Sequence, residues 1–267
     1  SLEEAENALK EMFIDKTFGN AGARVIVEDF MEGEEATYLA VTDGKNILPL
    51  SVSQDHKRVY DGDKGANTGG MGAYSPAPVV DKAKFKTITD TIAKPMIDEL
   101  KKRGITYKGV IYAGLMINND SIKVVEYNCR FGDPECQVVL SKIKSGLLDA
   151  MIAAANGNIE NVKIEVEDKT AVCVILISGG YPKEYKSGYE INGIDNAEAV
   201  KGVKVFHAGT KLKDNKIFTS GGRVLCVTAL DNDLKSAIER AYKGVSAISF
   251  HDMAYRKDIG AKGLKHK

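Results

Sequence analysis

The sequence has no excess of either charge, because its 37 Lys and Arg residues balance its 37 Asp and Glu residues. Proteins that bind nucleic acid or anionic membranes usually carry a basic excess, so we expect neither partner. No apolar run approaches the ~20 residues that a membrane-spanning helix needs. The longest run, residues 171–178, is typical of a buried strand. Internal repeats and low-complexity tracts are also missing from the sequence.

The four cysteines form no CxxC pair, and Cys173 and Cys226 lie inside apolar runs. This usage is typical of reduced core thiols, so we expect a cytoplasmic protein. His251 and His266 have no ligand-like spacing to another His, Cys or acid, and no nucleophile stands beside His207. His207 is therefore interpreted as structural.

Length and composition, with 43% hydrophobic and 28% charged residues, predict a globular protein of two domains. A polar segment over residues 156–169 places their boundary near residue 160, which gives domains 1–160 and 161–267. Apolar spacing predicts a mixed α+β or α/β fold.

The first predicted helix ends near Phe13. Three further predicted helices cover residues 82–103 (kinked at Pro95), 138–156 and 233–249. The predicted strands cover residues 24–30, 35–42, 46–53, 107–117, 121–127, 170–178, 204–208, 216–220 and 222–230. Residues 60–78 are predicted to be a long polar loop, and Asp231 or Asn232 is predicted to cap the last helix.

Two oxygen-bearing side chains follow a short apolar strand. Glu126 and Asn128 come directly after the β-prone residues 122–125 and are two positions apart. Alternate side chains of a strand share one face, so a single Mg²⁺ ion could contact both. A solvated strand edge would show the same spacing, and spacing alone leaves both interpretations open.

The same stretch continues into a turn with three more charged residues. Arg130 is two positions beyond Asn128, so its side chain is expected on the same face as the two oxygen ligands. Its planar guanidinium suits a carboxylate or a phosphate. A glycine and a proline then end the strand, with Asp133 and Glu135 on the turn. This density of charge is unusual for a core and favours metal-assisted chemistry on a charged substrate.

An acidic turn follows the predicted strand 24–30. Backbone groups where a strand leaves its sheet could bind the edge of a flat base, and a carboxylate could accept hydrogen bonds from ribose hydroxyls. An acidic surface turn would explain the same residues, and taken alone the segment favours that simpler interpretation.

Residues 67–76 combine glycines with hydroxyl side chains. Glycine lets a backbone approach an anion closely and point N–H groups at it, although the spacing matches neither a P-loop nor a dinucleotide fingerprint. Lys57 and Arg58 stand just before this loop and could neutralise phosphate. A flexible linker next to a solvated charge run is the alternative.

Seven strings along the chain together resemble one family. They are SQDHKR (53–58), NTGGMGAYSPAP (67–78), YAGLMI (112–117), NCRFGDPE (128–135), VFHAGT (205–210), GGRVL (221–225) and YRKDIG (255–260). This set resembles the glycinamide ribonucleotide synthetase family, an ATP-grasp family of purine biosynthesis. The resemblance implies the second half of an ATP-grasp fold, with an antiparallel-rich sheet and helices, followed by a small mixed α/β C-terminal domain.

The resemblance also implies a reaction. ATP would phosphorylate the carboxylate of glycine, and the amine of 5-phosphoribosylamine would attack the resulting glycyl phosphate. The products would be glycinamide ribonucleotide, ADP and phosphate. ATP with Mg²⁺ (or Mn²⁺) would be the cofactors, and the oligomeric state is expected to be a monomer or a weak dimer.

The resemblance assigns roles to residues of this sequence. Glu126 and Asn128 match the metal ligands, Arg130 would hold the glycine carboxylate or the transferred phosphoryl group, and Asp133 and Glu135 would lie near the glycine ammonium. The remaining implied contacts are with ATP or the substrates. They comprise the strand Glu28, Asp29, Phe30 and Met31 for adenine, Glu35 for ribose, and Lys57, Arg58, Thr68, Gly69, Gly70 and Gly72 around phosphates or substrate.

Two departures from the family pattern stand out. The strand at residues 113–116 lacks the second acidic metal ligand common in ATP-grasp enzymes. The chain also begins at Ser1 without the phosphoribosylamine-binding domain and the lysine-containing loop of the family. We therefore expect a C-terminal fragment that is inactive by itself. Another ATP-grasp carboxylate–amine ligase, or a non-catalytic nucleotide-binding remnant, remains as an alternative.

Overall fold

The computed structural model describes residues 1–266, which fall into two compact units, Ser1–Glu32 and a second unit that begins at Gly33. The first unit begins with helix α1 (Leu2–Phe13). Its capping box is complete, because the Ser1 side chain accepts from the Glu4 backbone and the Glu4 side chain accepts in return. A short 3₁₀ helix, Gly19–Ala23, follows.

The predicted strand over residues 24–30 is wrong. The segment after the 3₁₀ helix has no regular secondary structure and pairs with no strand among the described residues. Ile26, Val27 and Phe30 are each more than 85% exposed. A β-prone run becomes a strand only where a neighbouring strand takes up its backbone hydrogen bonds, and no such neighbour lies beside this one.

The second unit contains most of the regular structure. Its strands are β1 (Glu34–Thr42), β2 (Ile47–Asp55), β3 (Arg58–Tyr60), β4 (Lys64–Asn67), β5 (Gly72–Ser75), β6 (Gly109–Asn118), β7 (Ser121–Asn128), β8 (Ile143–Ser145), β9 (Glu165–Val166), β10 (Thr170–Ile177), β11 (Val203–His207), β12 (Thr210–Lys213), β13 (Lys216–Thr219) and β14 (Arg223–Asp231). Its α-helices are α2 (Lys82–Ile88), α3 (Lys94–Lys102), α4 (Glu135–Leu140), α5 (Leu147–Asn156), α6 (Ile194–Glu198) and α7 (Leu234–Val245).

Eight of these strands form one sheet in the order β11-β14-β10-β5-β2-β1-β6-β7, and every neighbouring pair is antiparallel. This architecture confirms the predicted α+β fold with an antiparallel-rich sheet. The sheet includes strands from both sides of residue 160. The predicted domain boundary at that position stays a prediction.

The two faces of the β1–β2–β6–β7 part of the sheet have different roles. On one face Tyr38, Ala113 and Leu115 pack under α2 and α3 in an apolar cluster. The opposite face carries polar side chains near the ends of the strands. Because side chains alternate along a strand, the apolar face fixes which residues can reach the other one.

Several predicted elements need correction. The loop at residues 60–78 contains two strands, β4 and β5, and β5 lies in the middle of the large sheet. The single helix predicted for residues 138–156 is two helices separated by β8, which pairs with β9. Gly146 marks the break with a φ of +87°, and a Cβ there would lie 2.2 Å from the Lys163 carbonyl oxygen.

The helix predicted for residues 82–103 is confirmed, with a π-helical segment, Thr89–Ala93, just before Pro95. Asp233, and not Asp231 or Asn232, caps α7 by accepting from the Ser236 backbone. Strand β12 and helix α6 escaped prediction because each has only four or five residues. No helix among the described residues combines the length and apolar character needed to cross a bilayer.

Candidate active site

A cavity of about 420 Å³ opens on the polar face of the sheet. Its walls are the ends of β1, β2, β6 and β7, the glycine-rich segment before β5, and the turn before α4. The lining residues are Glu35, Ala36, Thr37, Asp55, Lys57, Asn67, Thr68, Gly69, Tyr112, Gly114, Leu115, Val125, Glu126, Asn128, Arg130, Gly132, Asp133 and Glu135.

Strand register brings the polar side chains together. Thr37 pairs with Gly114, and Gly114 pairs in turn with Glu126, so the three residues lie on one face. A bulge leaves Val125 without a partner on β6. Gly114 has no side chain, and a Cβ there would lie 3.1 Å from Cγ of Glu126, so the glycine makes room for this carboxylate.

A group of polar side chains, buried except for Lys57, occupies the inner end of the cavity. We call it the inner network and define it as Thr37, Asp55, Lys57, Tyr112 and Glu135. Glu135, only 2% exposed, accepts hydrogen bonds from the Tyr112 hydroxyl (2.7 Å) and the Thr37 hydroxyl (3.1 Å). The Lys57 ammonium lies 3.2 Å from Oδ2 of Asp55.

The two buried carboxylates of the inner network face a single cation, Lys57. Burial raises the pKa of Asp55, and the charge of Glu135 raises it further. Burial by itself would lower the pKa of Lys57, but Asp55 and Glu135 raise it overall, so the ammonium stays charged. Burial and the neighbouring Glu135 carboxylate also raise the pKa of the Tyr112 hydroxyl. The inner end of the cavity therefore favours a cationic ligand group.

An exposed group stands at the outer end of the cavity. We call it the outer group and define it as Glu35, Glu126, Asn128 and Arg130. Within it, the Asn128 amide lies 3.2 Å from Oε1 of Glu126, and Arg130 donates to the Phe131 carbonyl oxygen at 2.9 Å. Glu35, Glu126 and Arg130 are exposed and Asn128 is half-buried, and the four leave most of their hydrogen-bonding capacity free for a ligand.

The outer group fits a magnesium ion that is shared with a phosphate ligand. No cluster of three or more His, Cys, Asp or Glu residues suited to a metal occurs within residues 1–266. Mg²⁺, however, commonly uses only one or two protein oxygens together with water and phosphate. Glu126 supplies a carboxylate and Asn128 an amide on the same face, and this is a donor set of the hard type that Mg²⁺ prefers.

The glycine-rich segment before β5 is an ordered wall of the cavity. The backbone and the hydroxyl of Thr68 both donate to the Lys57 carbonyl oxygen at 2.8 Å. Thr68 then accepts from the Gly70 backbone at 3.0 Å. Gly70 has a φ of +113°, and a Cβ there would lie 2.4 Å from Pro134 and 2.9 Å from the Asp55 carboxylate, so only glycine fits.

The structure gathers nine of the residues singled out from the sequence around one cavity. They are Glu35, Lys57, Thr68, Gly69, Glu126, Asn128, Arg130, Asp133 and Glu135. Arg58, Gly70 and Gly72 do not line it: Arg58 donates to the Gly65 carbonyl oxygen at 2.7 Å, and Gly72 is buried in β5. Residues 28–31 belong to the first unit, where they have no regular secondary structure.

Sequence reasoning missed three members of the inner network, Thr37, Asp55 and Tyr112. Thr37 and Tyr112 lie within strands that are mainly apolar around them, and Asp55 is the last residue of β2. Strand parity held a usable signal, since Thr37 is two residues beyond Glu35 and so shares its face. The alignment of Asp55 and Tyr112 with Glu135 depends on cross-strand register and on the path of the turn before α4, which the local sequence does not reveal.

Comparison with known proteins identifies the family. The sequence model described as "Phosphoribosylglycinamide synthetase, ATP-grasp (A) domain" matches residues 1–136, and the model described as "Phosphoribosylglycinamide synthetase, C domain" matches residues 171–262. The chain belongs to the phosphoribosylglycinamide synthetase family. All lining residues of the cavity fall within the range matched by the ATP-grasp model.

Individual members of the family agree with this assignment. The chain is 51% identical over 263 residues to the trifunctional purine biosynthetic protein adenosine-3 of Gallus gallus, covering 98% of the chain and 26% of that protein. It is 50% identical over 263 residues to the phosphoribosylamine–glycine ligase of Synechocystis sp., covering 98% of the chain and 61% of that protein. The chain thus spans about three-fifths of the length of this bacterial relative.

A solved structure shows the same fold. The phosphoribosylamine–glycine ligase of Thermotoga maritima superposes with a TM-score of 0.84 at 30% identity, over 97% of the chain and 64% of that protein. The predicted ATP-grasp fold followed by a C-terminal domain of the phosphoribosylglycinamide synthetase family is therefore confirmed.

Proposed function

We propose that this chain forms the catalytic cavity and the C-terminal part of an ATP-dependent ligase that joins glycine to 5-phosphoribosylamine. In the first step a glycine carboxylate oxygen attacks the terminal phosphorus of ATP, and ADP leaves. In the second step the amine of phosphoribosylamine attacks the glycyl carbonyl carbon, phosphate leaves, and the amine loses a proton. The observation that carries the proposal is the single cavity that joins the outer group to the inner network in a chain of this family.

The outer group is proposed to bind the ATP phosphates together with their metal ion. Phosphoryl transfer depends mainly on positioning and on neutralising charge. Glu126 and Asn128 would hold Mg²⁺, which when bound offsets phosphate charge, and Glu35 would accept from the ribose hydroxyls. The Arg130 guanidinium is exposed toward the cavity and suits a carboxylate or a phosphoryl group.

The inner network is proposed to bind the amino group of glycine. Its two buried carboxylates face only one cation, Lys57, and a second cation, the ammonium of glycine, would stabilise the charged form of both. Glu135 fits this role because one of its oxygens is fixed by Tyr112 and Thr37. Asp133 fits less well, since its carboxylate accepts from Gln137 (2.9 Å) and Arg223 (3.1 Å).

Residues 28–31 are proposed to contact adenine, and Lys57 and the Thr68–Gly69 backbone to contact phosphate or substrate. Gly70 and Gly72 are proposed to act through the shape of the same segment, to which Arg58 is proposed to contribute only weakly, through its hydrogen bond to the Gly65 carbonyl oxygen. A cytoplasmic location fits the four cysteines, all of which are free thiols. A monomer or a weak dimer is the proposed oligomeric state.

The test uses a hybrid ligase in which this chain replaces the matching part of the Synechocystis protein, to which it is 50% identical. We expect ADP release that requires both glycine and phosphoribosylamine and that is lost in the Glu126→Gln hybrid. The unmodified Synechocystis protein is the positive control. If a folded hybrid released ADP only when a carboxylate other than glycine was added, the proposal would be contradicted and a different ATP-grasp ligase would be favoured.

A further inference from the structure

One side chain from the C-terminal part of the chain joins two walls of the cavity. Nη1 of Arg223 lies 2.7 Å from the Gly69 carbonyl oxygen and 3.4 Å from that of Gly70, in the glycine-rich segment. The same nitrogen lies 2.9 Å from the Asp133 carbonyl oxygen, and Nη2 lies 3.1 Å from Oδ2 of Asp133. Arg223 itself does not line the cavity.

Two glycines make this contact possible. A Cβ on Gly69 would lie 3.0 Å from Cζ of Arg223, so a side chain there would push against the guanidinium. Beside it, the Gly69 backbone donates to the Tyr181 hydroxyl at 3.1 Å. A Cβ on Gly222 would lie 2.3 Å from the Tyr181 ring, so this glycine lets the ring lie close to the strand that carries Arg223.

The chemistry of the contact requires arginine. Its planar guanidinium presents several N–H donors in fixed directions, and here it reaches three carbonyl oxygens and a carboxylate at once. Lysine would keep the positive charge but could not match this set of acceptors. Glutamine would remove the charge and most of the donors.

We propose that Arg223 is a positioning residue that holds the Gly69–Gly70 segment and the Asp133 turn at a fixed separation. This inference depends on the proposed function and narrows it: of the two ligands proposed for the Gly69 backbone, phosphate or substrate, it takes the substrate, the small amino acid. Glu35, Glu126 and Asn128 lie on other strands, and no hydrogen bond or ion pair within residues 1–266 joins them to Arg223. Arg223 therefore governs the binding and reaction of the amino acid, with little effect on ATP.

The first measurement is hydrogen exchange on the 267-residue chain, and it requires no activity. In Arg223→Gln we expect amide exchange in residues 67–71 and 131–136 to accelerate at least about tenfold, which equals ~1.4 kcal/mol of local stability. Arg240→Gln is the matched control, because Arg240 also bonds a carbonyl oxygen (Lys201, 2.9 Å) and a carboxylate (Asp231) but away from the cavity. Unchanged exchange at both walls in Arg223→Gln would overturn the inference.

The second measurement is steady-state kinetics of the hybrid ligase. We expect Arg223→Gln to lower kcat/KM for glycine by about 10²-fold while KM for ATP changes less than about twofold, since small misplacements at a reacting centre are costly. Arg223→Lys should recover part of the loss, and Arg240→Gln should match the unmodified hybrid. Equal losses for glycine and ATP, or no loss despite faster exchange, would overturn the inference.

The two measurements separate this inference from the proposed function. A folded hybrid that shows no glycine-dependent turnover before any substitution contradicts the proposed function. Hydrogen exchange then still decides whether Arg223 fixes the two walls.

Discussion

The two ends of the cavity differ in the burial of their polar side chains and in the partners of those side chains. In the inner network, buried side chains bond to one another, with Glu135 accepting from two hydroxyls and Lys57 next to Asp55. In the outer group, Glu126 and Arg130 are exposed, and their contacts are to their own neighbours in the chain. The inner end is organised before any ligand arrives, whereas the outer end acquires its partners from the ligand.

Because of this difference, we expect substitutions at the inner end of the cavity to reduce folding stability and substitutions at the outer end to reduce activity. Buried polar groups are costly when they lose a partner, so the inner network should respond to substitution with a loss of folding free energy. Exposed charges contribute little to stability, so the outer group should respond with a loss of activity alone. The following experiments test that separation, in order of decreasing effect.

The largest effect is expected from Glu126→Gln in the hybrid ligase. Turnover should fall at least about 10²-fold, because the substitution removes a charged oxygen ligand from the metal that the phosphates share. The free energy of unfolding of the 267-residue chain, measured in urea, should change by less than about 0.5 kcal/mol. Strong destabilisation with retained activity would mean that Glu126 is a structural carboxylate.

Tyr112→Phe tests the inner network directly. It removes the hydroxyl that donates to Glu135 at 2.7 Å, and a bond to a charged acceptor is worth about 1.5–3 kcal/mol. Urea unfolding of the chain should show a loss of that size. Tyr60→Phe is the control, since Tyr60 is 65% exposed, and it should change stability by less than about 0.5 kcal/mol. Equal effects of the two substitutions would contradict the buried network.

The pH dependence of stability tests the charge of the inner network. Because burial and Glu135 raise the pKa of Asp55 in the folded state, the folded protein holds a proton that the unfolded chain releases at lower pH. Stability supplied by Asp55 is therefore lost as pH rises above the ordinary aspartate pKa, with a slope of up to about 1.4 kcal/mol per pH unit. Asp55→Asn should remove this slope. The free energy of unfolding of the variant, minus that of the wild type, should therefore rise from pH 4 to pH 8. A constant difference across that range would contradict the raised pKa.

The smallest effect is expected from Arg58→Gln, which should alter both hybrid activity and stability only slightly. Arg58 is exposed and donates to the Gly65 carbonyl oxygen, outside the cavity lining. A change below about 0.5 kcal/mol in unfolding and below about twofold in kcat would agree with this position. Loss of activity comparable to that of Lys57→Gln would place Arg58 in the catalytic cavity after all.

The sequence was most informative about the outer group. Glu126, Asn128 and Arg130 follow one strand at spacings of two, and local alternation alone predicts that they share a face. The hairpins β1–β2 and β6–β7 were also predictable, since each has a short polar turn between apolar runs. Resemblance to a family then supplied the ATP-grasp fold.

The inner network and the role of Arg223 were not predictable in the same way. Asp55 and Glu135 are 80 residues apart in sequence, and Arg223 lies 90 residues beyond Asp133. Their meeting depends on register across several strands, for which local periodicity contains no information. The predicted strand at residues 24–30 failed for a related reason: intrinsic β-propensity cannot supply a pairing partner.

The position of β5 in the large sheet has a consequence for how this chain can be divided. β5 lies between β2 and β10, so it joins strands that come before and after residue 160. Cutting the gene near that residue would leave an uncovered row of backbone donors and acceptors on β5 in the first product and on β10 in the second. Such open edges recruit other chains, so the separated halves are expected to aggregate when expressed alone and to form a soluble pair when expressed together.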